Sequence, residues 1–170
     1  GTPMIAVTGS NGKTTTKEMI AAIMQAHTGG IEPVLATAGN FNNDIGMPLT
    51  LLRLLPQHRC AVIEMGMNHL GEIDYLTRLA RPDVAVINNA GTAHIGELGS
   101  RENIARAKGE IFAGLSAKGV AVINADSPFA EYWRTLNDGR RVVSFGTHTA
   151  ADVRGEITEH AGQVSLVMHY

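Results

Sequence analysis

The 170-residue sequence predicts an α/β fold, a mostly parallel sheet with helices on both faces and a C-terminal β-hairpin. Three observations carry that expectation. Short, fully apolar runs alternate with segments whose apolar residues recur at helical spacing, the pattern of strands covered on both faces. The first run leads straight into a glycine-containing loop and a helix start. The last two segments alternate polar and apolar residues, as a half-exposed hairpin does.

Taken in order, "MIAVT" is a buried strand, and Met19, Ile20, Ile23, Met24 and His27 give the helix after it. "PVLATAGNFNNDIGMPLTLLRLL" reads as a short extended piece, a polar loop and a helix entered at Pro48, a residue favoured early in helices. "CAVIEMG" is a second strand, and "GEIDYLTRLA" a helix that stops before Pro82. "DVAVINN" is a third strand. "SRENIARAKGEIFAGLS" is a helix with Ser100 as N-cap and Asn103 three residues later. "GVAVINA" is a fourth strand. "SPFAEYWRTLN" is a helix with Ser127 as N-cap and Pro128 at its first position. "NDGR" is a turn and "RVVSFG" a fifth strand. "DVRGEITEH" and "QVSLVMHY" form the hairpin, with a turn at His160, Ala161 and Gly162.

Composition removes several function classes. With 44% hydrophobic and 18% charged residues the chain has the make-up of a globular domain with a real core. A net charge of −2 and 5% aromatic residues leave neither a basic surface nor stacking platforms, so no nucleic-acid partner is expected. A single cysteine, Cys60, rules out an internal disulfide, and its apolar surroundings make it a buried, inert thiol. No apolar run is long enough to span a bilayer and the N-terminus has no signal-peptide pattern. No membrane insertion and a cytoplasmic location are expected.

In a parallel sheet, ligands bind outside the carboxyl ends of the strands, so the residues that follow each strand are the candidates. After the first comes "GSNGKTTT". Its backbone N–H groups and the helix dipole favour an anion, Gly9 and Gly12 allow close approach, Lys13 adds a cation, and Thr14 or Thr15 offers a hydroxyl to Mg²⁺. The spacing G-x-x-G-K-T is shorter than the standard phosphate loop, because Val7 stands where an outer glycine would be. A plain turn with a solvated lysine is the alternative. The second strand closes on Glu64, either an Mg²⁺-coordinating or water-orienting carboxylate or an ordinary solvated or capping acid. The third leads into "NNAGTAHIGELGS", where His94 is a candidate ligand or a hydrogen-bonding loop residue.

Lys108 is the most informative position. Ile104, Ile111, Phe112 and Leu115 lie on its helix face, so it sits within an apolar stripe. It either snorkels to water or is held inward beside a site, where burial lowers its pKa. A neutral amine there can take up CO₂ as a carbamate, an anion able to bind metal. In "AGNFNNDIGMPLT", Asn40, Asn42 and Asn43 offer amides for phosphate or carboxylate contacts, or serve turn and cap chemistry. Asn68 and His69 sit in a similar loop.

The blocks "TGSNGKTTTKEM", "AGNFNNDIGMPLTLL", "AVIEMGMNHLGEI", "VAVINNAGTAHIGELGS" and "IARAKGEIF" together resemble the central ATP-binding domain of the Mur ligases, a P-loop NTPase-like fold. The short glycine spacing is that family's own form of the loop, shared with folylpolyglutamate ligases. "GNFNNDIGMP" and "NHLGEI" point within the family to the branch that joins D-Ala-D-Ala to UDP-MurNAc-tripeptide in peptidoglycan synthesis. The resemblance implies an ATP-dependent, ADP-forming carboxylate–amine ligase acting through an acyl phosphate. It implies that Gly9, Ser10, Asn11, Gly12, Lys13, Thr14 and Thr15 hold the ATP phosphates, with Lys13 on the transferred one. Thr14 and Glu64 would hold a first Mg²⁺, and His94 with a carbamoylated Lys108 a second. Asn42 and Asn43 would face nucleotide or carboxylate. Its partners are then small molecules: ATP, UDP-MurNAc-tripeptide and D-Ala-D-Ala. On this reading residues 1–170 are part of the central domain, with the N-terminal UDP-substrate domain and the C-terminal domain outside them. The chain alone should fold without ligating. The competing readings are another Mur or folylpolyglutamate-type ligase and a simple P-loop nucleotide-binding module.

Overall fold

The computed structural model describes residues 1–93, 95–147, 151–160 and 163–170. Its strands are β1 (Met4–Thr8), β2 (Val34–Ala36), β3 (Cys60–Glu64), β4 (Val84–Ile87), β5 (Val120–Asn124), β6 (Arg141–Gly146), β7 (Val153–His160) and β8 (Gln163–His169). They form one sheet in the order β2-β3-β1-β4-β5-β6-β7-β8. Every pairing is parallel except the hairpin β7–β8. The expected short extended piece is therefore the edge strand β2, and the expected hairpin is present. Its turn residues Ala161 and Gly162 lie outside the described residues.

The helices are α1 (Lys13–Thr28), α2 (Gly46–Leu51), α3 (Glu72–Ala80), α4 (Ile95–Leu98), α5 (Arg101–Gly109), running on as a 3-10 turn over Glu110–Gly114, and α6 (Ala130–Thr135). Strand alternation divides the core into two layers. Ala6, Ile63, Ala85, Ile87, Ala121 and Ile123 meet Ile73 and Leu76 of α3, Ile104 of α5, and Trp133 of α6. Val7, Val62 and Val86 turn the other way, onto Ala21, Ile20 and Met24 of α1. Right-handed crossovers explain the division. The chain moves one way along the sheet from β1 to β2 and the other way afterwards, so α1 lies on the face opposite α3, α5 and α6. Burying each Ile, Leu or Val contributes roughly 1.5–3 kcal/mol before entropy is counted. Between α1 and the sheet, Ile5, Met19, Ile20, Ile23, Val84, Val122 and Phe145 line an apolar cleft of ≈ 480 Å³.

Three helix boundaries differ from the sequence reading. α2 begins at Gly46 and not at Pro48, because Asn43 Oδ1 accepts the Gly46 N–H at 2.8 Å and starts the turn early. The segment after Ser100 is not one continuous α-helix. Thr77 Oγ1 donates to the Ile111 carbonyl at 2.7 Å, and the Leu115 N–H turns to Phe112 O at 3.1 Å, which tightens the end into 3-10 geometry. Gly114 lies so close to α3 that a Cβ there would sit 2.2 Å from Thr77 O. Ser127 and Pro128 precede α6 instead of capping it. Ser127 O accepts the Ala130 N–H in a turn, and Phe129 takes the N-cap position. Ser100 does cap α5, its hydroxyl accepting the Asn103 N–H at 3.1 Å. α4 was not expected. Cys60 is fully buried, and burial and then Asp83 push its thiol pKa up, as an inert thiol requires.

Candidate functional site

α1 leaves the carboxyl end of β1 toward one face of the sheet, and α3 follows β3 on the other. A crevice therefore opens between the two strand ends, and the residues from Gly9 to Thr15 and Glu64 sit at its two sides. Thr8 Oγ1 donates to Met65 O at 2.9 Å and locks the two ends together.

The loop has the backbone of an anion site. Gly12 holds a φ of 74°, which favours glycine, and a Cβ on Gly9 would lie 2.9 Å from Asn88 Cβ. No side chain caps α1, so its first-turn N–H groups are left for a ligand. Lys13 Nζ folds back on the loop and donates to Gly9 O at 2.9 Å and Ser10 O at 3.5 Å. Asn89 Oδ1 accepts from the Ser10 and Asn11 N–H groups, each at 3.0 Å, and Asn89 Nδ2 donates to Asn11 O at 3.0 Å. Asn88 Nδ2 donates to Gly12 O at 3.1 Å and to Thr16 Oγ1 at 2.7 Å. The two asparagines that close β4 thus hold the loop's shape. Sequence reasoning gave them no role, although the rule of strand ends pointed at them.

Glu64 is 2% exposed, so it is neither solvated nor a cap. Thr14 Oγ1 donates to its Oε2 at 2.9 Å, and Asn42 Nδ2 to its Oε1 at 2.8 Å. The Glu64 N–H donates to Thr37 Oγ1 at 2.9 Å. A carboxylate and a hydroxyl beside an anion loop are hard oxygen donors suited to Mg²⁺, which is held through one or two carboxylates plus phosphates. Among the described residues no three His, Cys, Asp or Glu side chains gather as a closed protein cage would require. The donor set fits Mg²⁺ arriving with a nucleotide.

Asn40, Asn42 and Asn43 line a cleft of ≈ 240 Å³ with Lys13, Gly66, Met67, Asn68 and Glu72. Asn43 Oδ1 accepts the Gly46 N–H at the start of α2, and the residue also lines this cleft. His69 is exposed and its Nδ1 pairs with Glu72 Oε1 at 2.9 Å. Burial pushes the Glu72 carboxyl up, but hydrogen bonds from the Asn68 N–H and His69 outweigh it and hold the pKa below the usual range.

Lys108 does not snorkel. It is 2% exposed within the stripe of Ile104, Ile111 and Phe112, all buried. Burial, and then the charge of Lys13, pull its pKa down to about 7. The dependence on Lys13 ties α5 to the loop electrostatically. His94 lies outside the described residues. No helix among the described residues is long and apolar enough to cross a membrane.

Comparison with known proteins agrees with this arrangement. Residues 7–170 match the Mur ligase middle domain. The UDP-N-acetylmuramoyl-tripeptide–D-alanyl-D-alanine ligase of Haemophilus influenzae is 54% identical over 76% of this chain, which covers 28% of that protein. A crystal structure of MurF from Acinetobacter baumannii superposes with a TM-score of 0.85 at 40% identity, over 98% of this chain and 38% of that one. The MurF ligase of Thermotoga maritima, solved in complex with ADP, gives 0.83 at 30% identity, over 99% and 40%. A family match over nearly the whole chain, with relatives at this identity and structures that superpose on its sheet, leaves one conclusion: the chain belongs to the Mur ligases.

Proposed function

We propose that the chain supplies the phosphate and Mg²⁺ site of a cytoplasmic ligase that joins D-Ala-D-Ala to UDP-MurNAc-tripeptide at the expense of ATP. The observation that carries this reading is the grouping of Lys13 with the Thr14–Glu64–Asn42 cluster at the carboxyl ends of β1 and β3, with the buried amine of Lys108 near enough to feel the charge of Lys13. A simple nucleotide-binding module has no need of that amine. Relatives with the ligase's name support the substrate pair.

With the Ser10 and Asn11 N–H groups held by Asn89, it is the N–H groups where the loop enters α1, from Gly12 to Thr15, that cradle the phosphates, and Lys13 moves its ammonium from the Gly9 and Ser10 carbonyls onto the transferred phosphoryl group. Thr14 and Glu64 are the residues that would hold Mg²⁺, whose contribution is to neutralise phosphate charge. Asn42 fixes the Glu64 carboxylate and, with Asn43, lines the cleft for nucleotide or carboxylate. A peptide carboxylate oxygen attacks the γ-phosphorus and ADP leaves, giving an acyl phosphate. The D-Ala-D-Ala amine attacks the acyl carbon, loses a proton, and inorganic phosphate departs as the amide forms. Catalysis is positioning and charge neutralisation. With a pKa of about 7, Lys108 has a neutral fraction able to bond CO₂ and release a proton. The carbamate anion, with His94, would hold a second Mg²⁺. His94 enters on its motif alone.

The test uses the full-length protein with ¹⁸O in the accepting carboxylate. Phosphate release that needs both substrates, with one ¹⁸O carried into the phosphate, is the expected result. Release without D-Ala-D-Ala, or unlabelled phosphate, would overturn the reading. The 170-residue chain alone is expected to fold and show no ligation, because the acyl and amine substrates need contacts outside the phosphate site.

A further inference from the structure

A second lysine on α1 has no part in the reading above. Lys17 lies one helical turn beyond Lys13 and is 1% exposed, among the largest fully buried side chains of the molecule. Its Nζ donates to Thr37 O at 2.6 Å and pairs with Glu18 Oε1 at 2.6 Å. A buried ammonium is costly unless acceptors meet it, and a methionine would fill the same space. The acceptor it has is the backbone of one particular residue.

Thr37 follows β2, the three-residue strand at the edge of the sheet, with a single neighbouring strand to hold it. It is itself buried, and its N–H donates to Val62 O at 3.0 Å. Its hydroxyl accepts the N–H of Glu64 at 2.9 Å. Directly after it comes the loop that carries Asn42, whose amide holds the other side of the same carboxylate. Thr14, on the same helix as Lys17, holds Glu64 Oε2. The contacts close a ring from α1 through Thr37 to Glu64 and back to α1.

We propose that Lys17 is a positioning residue for the Glu64 carboxylate. Its ammonium fixes Thr37 against α1, Thr37 fixes the Glu64 backbone, and the loop bearing Asn42 starts from that fixed point. Without it Thr37 loses its hydrogen bond to α1, leaving only apolar packing between the helix and the edge strand, and the acid loses its set direction toward Thr14. The proposal rests on the reading of Glu64 as the Mg²⁺ residue, and the experiment separates the two.

Lys17→Met keeps the volume and removes the donor. Amide hydrogen exchange on the chain itself is expected to quicken at Glu64 and Thr37 by roughly tenfold or more, with Ala61 and Val62 unchanged. In the full-length protein the Mg²⁺ concentration for half-maximal phosphate release should rise roughly 10-fold, with most of the rate recovered at high Mg²⁺. Thr37→Val removes the hydroxyl but keeps the carbonyl. It should give a similar Mg²⁺ shift, and the double variant should be no worse than the more affected single one. A fall in melting temperature with unchanged Glu64 exchange and unchanged Mg²⁺ dependence would make Lys17 a packing residue and overturn the proposal. Should Lys17→Met fail to fold, Thr37→Val decides, since an unmoved Mg²⁺ requirement there breaks the relay. If Glu64→Gln also leaves the Mg²⁺ requirement unmoved, the reading of Glu64 fails and this proposal falls with it.

Discussion

The two faces of the sheet each bury a lysine and treat it differently. On the α1 side, the Lys17 ammonium is met by the Thr37 carbonyl and by Glu18. On the α5 side, burial and the charge of Lys13 act together on Lys108, bringing it to about 7, and no described carboxylate offsets them. Burial alone therefore does not mark a reactive amine. Where acceptors are supplied, the lysine ties one element to another. Where they are withheld and a second cation is close, the neutral form becomes available for chemistry.

The strongest way to break this comparison is Lys108→Ala in the full-length protein. Phosphate release should fall by about 10²–10³-fold or more, the loss typical of removing a group that stabilises charge in the transition state. Formate or acetate should restore part of it if a carbamate is the missing anion. Full activity without added carboxylate would return Lys108 to packing. Glu64→Gln should act next most strongly, raising the Mg²⁺ needed for half-maximal rate by roughly 10–100-fold. An unchanged Mg²⁺ titration would make the acid structural.

A third test sharpens the contrast through stability. Lys108 has a folded pKa of about 7 against 10.5 for a free lysine. The folded state thus binds fewer protons than the unfolded one between those values, and stability rises with pH through that window. Below pH 7 the folded chain carries the buried charge at full cost. Lys108→Met should therefore stabilise the chain at pH 6, on the order of 2 kcal/mol or more, with the gain shrinking toward pH 10. Denaturant unfolding at the two pH values reads it, and a pH-independent difference would contradict the burial argument. Lys17→Met should instead destabilise at pH 6. The smallest effect is expected at Asn89. Its Oδ1 and Nδ2 hold Ser10 and Asn11, so Asn89→Ala should cost about 1–2 kcal/mol by the same measurement and weaken phosphate binding by the loop. Unchanged stability and binding would mean that the loop holds its own shape.

Much of this arrangement was legible in the sequence. Strands such as "CAVIE" and "VAVI" present apolar residues to both faces, and their alternation with helical segments points to a covered parallel sheet. Glu64 stood out because it ends such a run, Lys13 because it closes the glycine loop after another, and Lys108 because a charge interrupts an apolar stripe. The helix ends were not legible where tertiary contacts set them, as when Thr77 takes the Ile111 carbonyl and tightens the turn after α5. Lys17 was missed because its acceptor comes from an edge strand twenty positions away. Asn88, Asn89 and Thr37 were missed because an amide or hydroxyl beyond a strand has the look of ordinary turn chemistry.

The measurement that tests the central claim most directly is ATP-dependent phosphate release by the full-length protein carrying Lys13→Ala. Lys13 is the cation inside the strand–loop–helix anion site and also the charge that acts on Lys108. The account expects turnover to fall by about 10²–10³-fold or more with both substrates present and the fold intact. Turnover near that of the wild type would show that phosphoryl transfer takes place somewhere other than the carboxyl ends of β1 and β3.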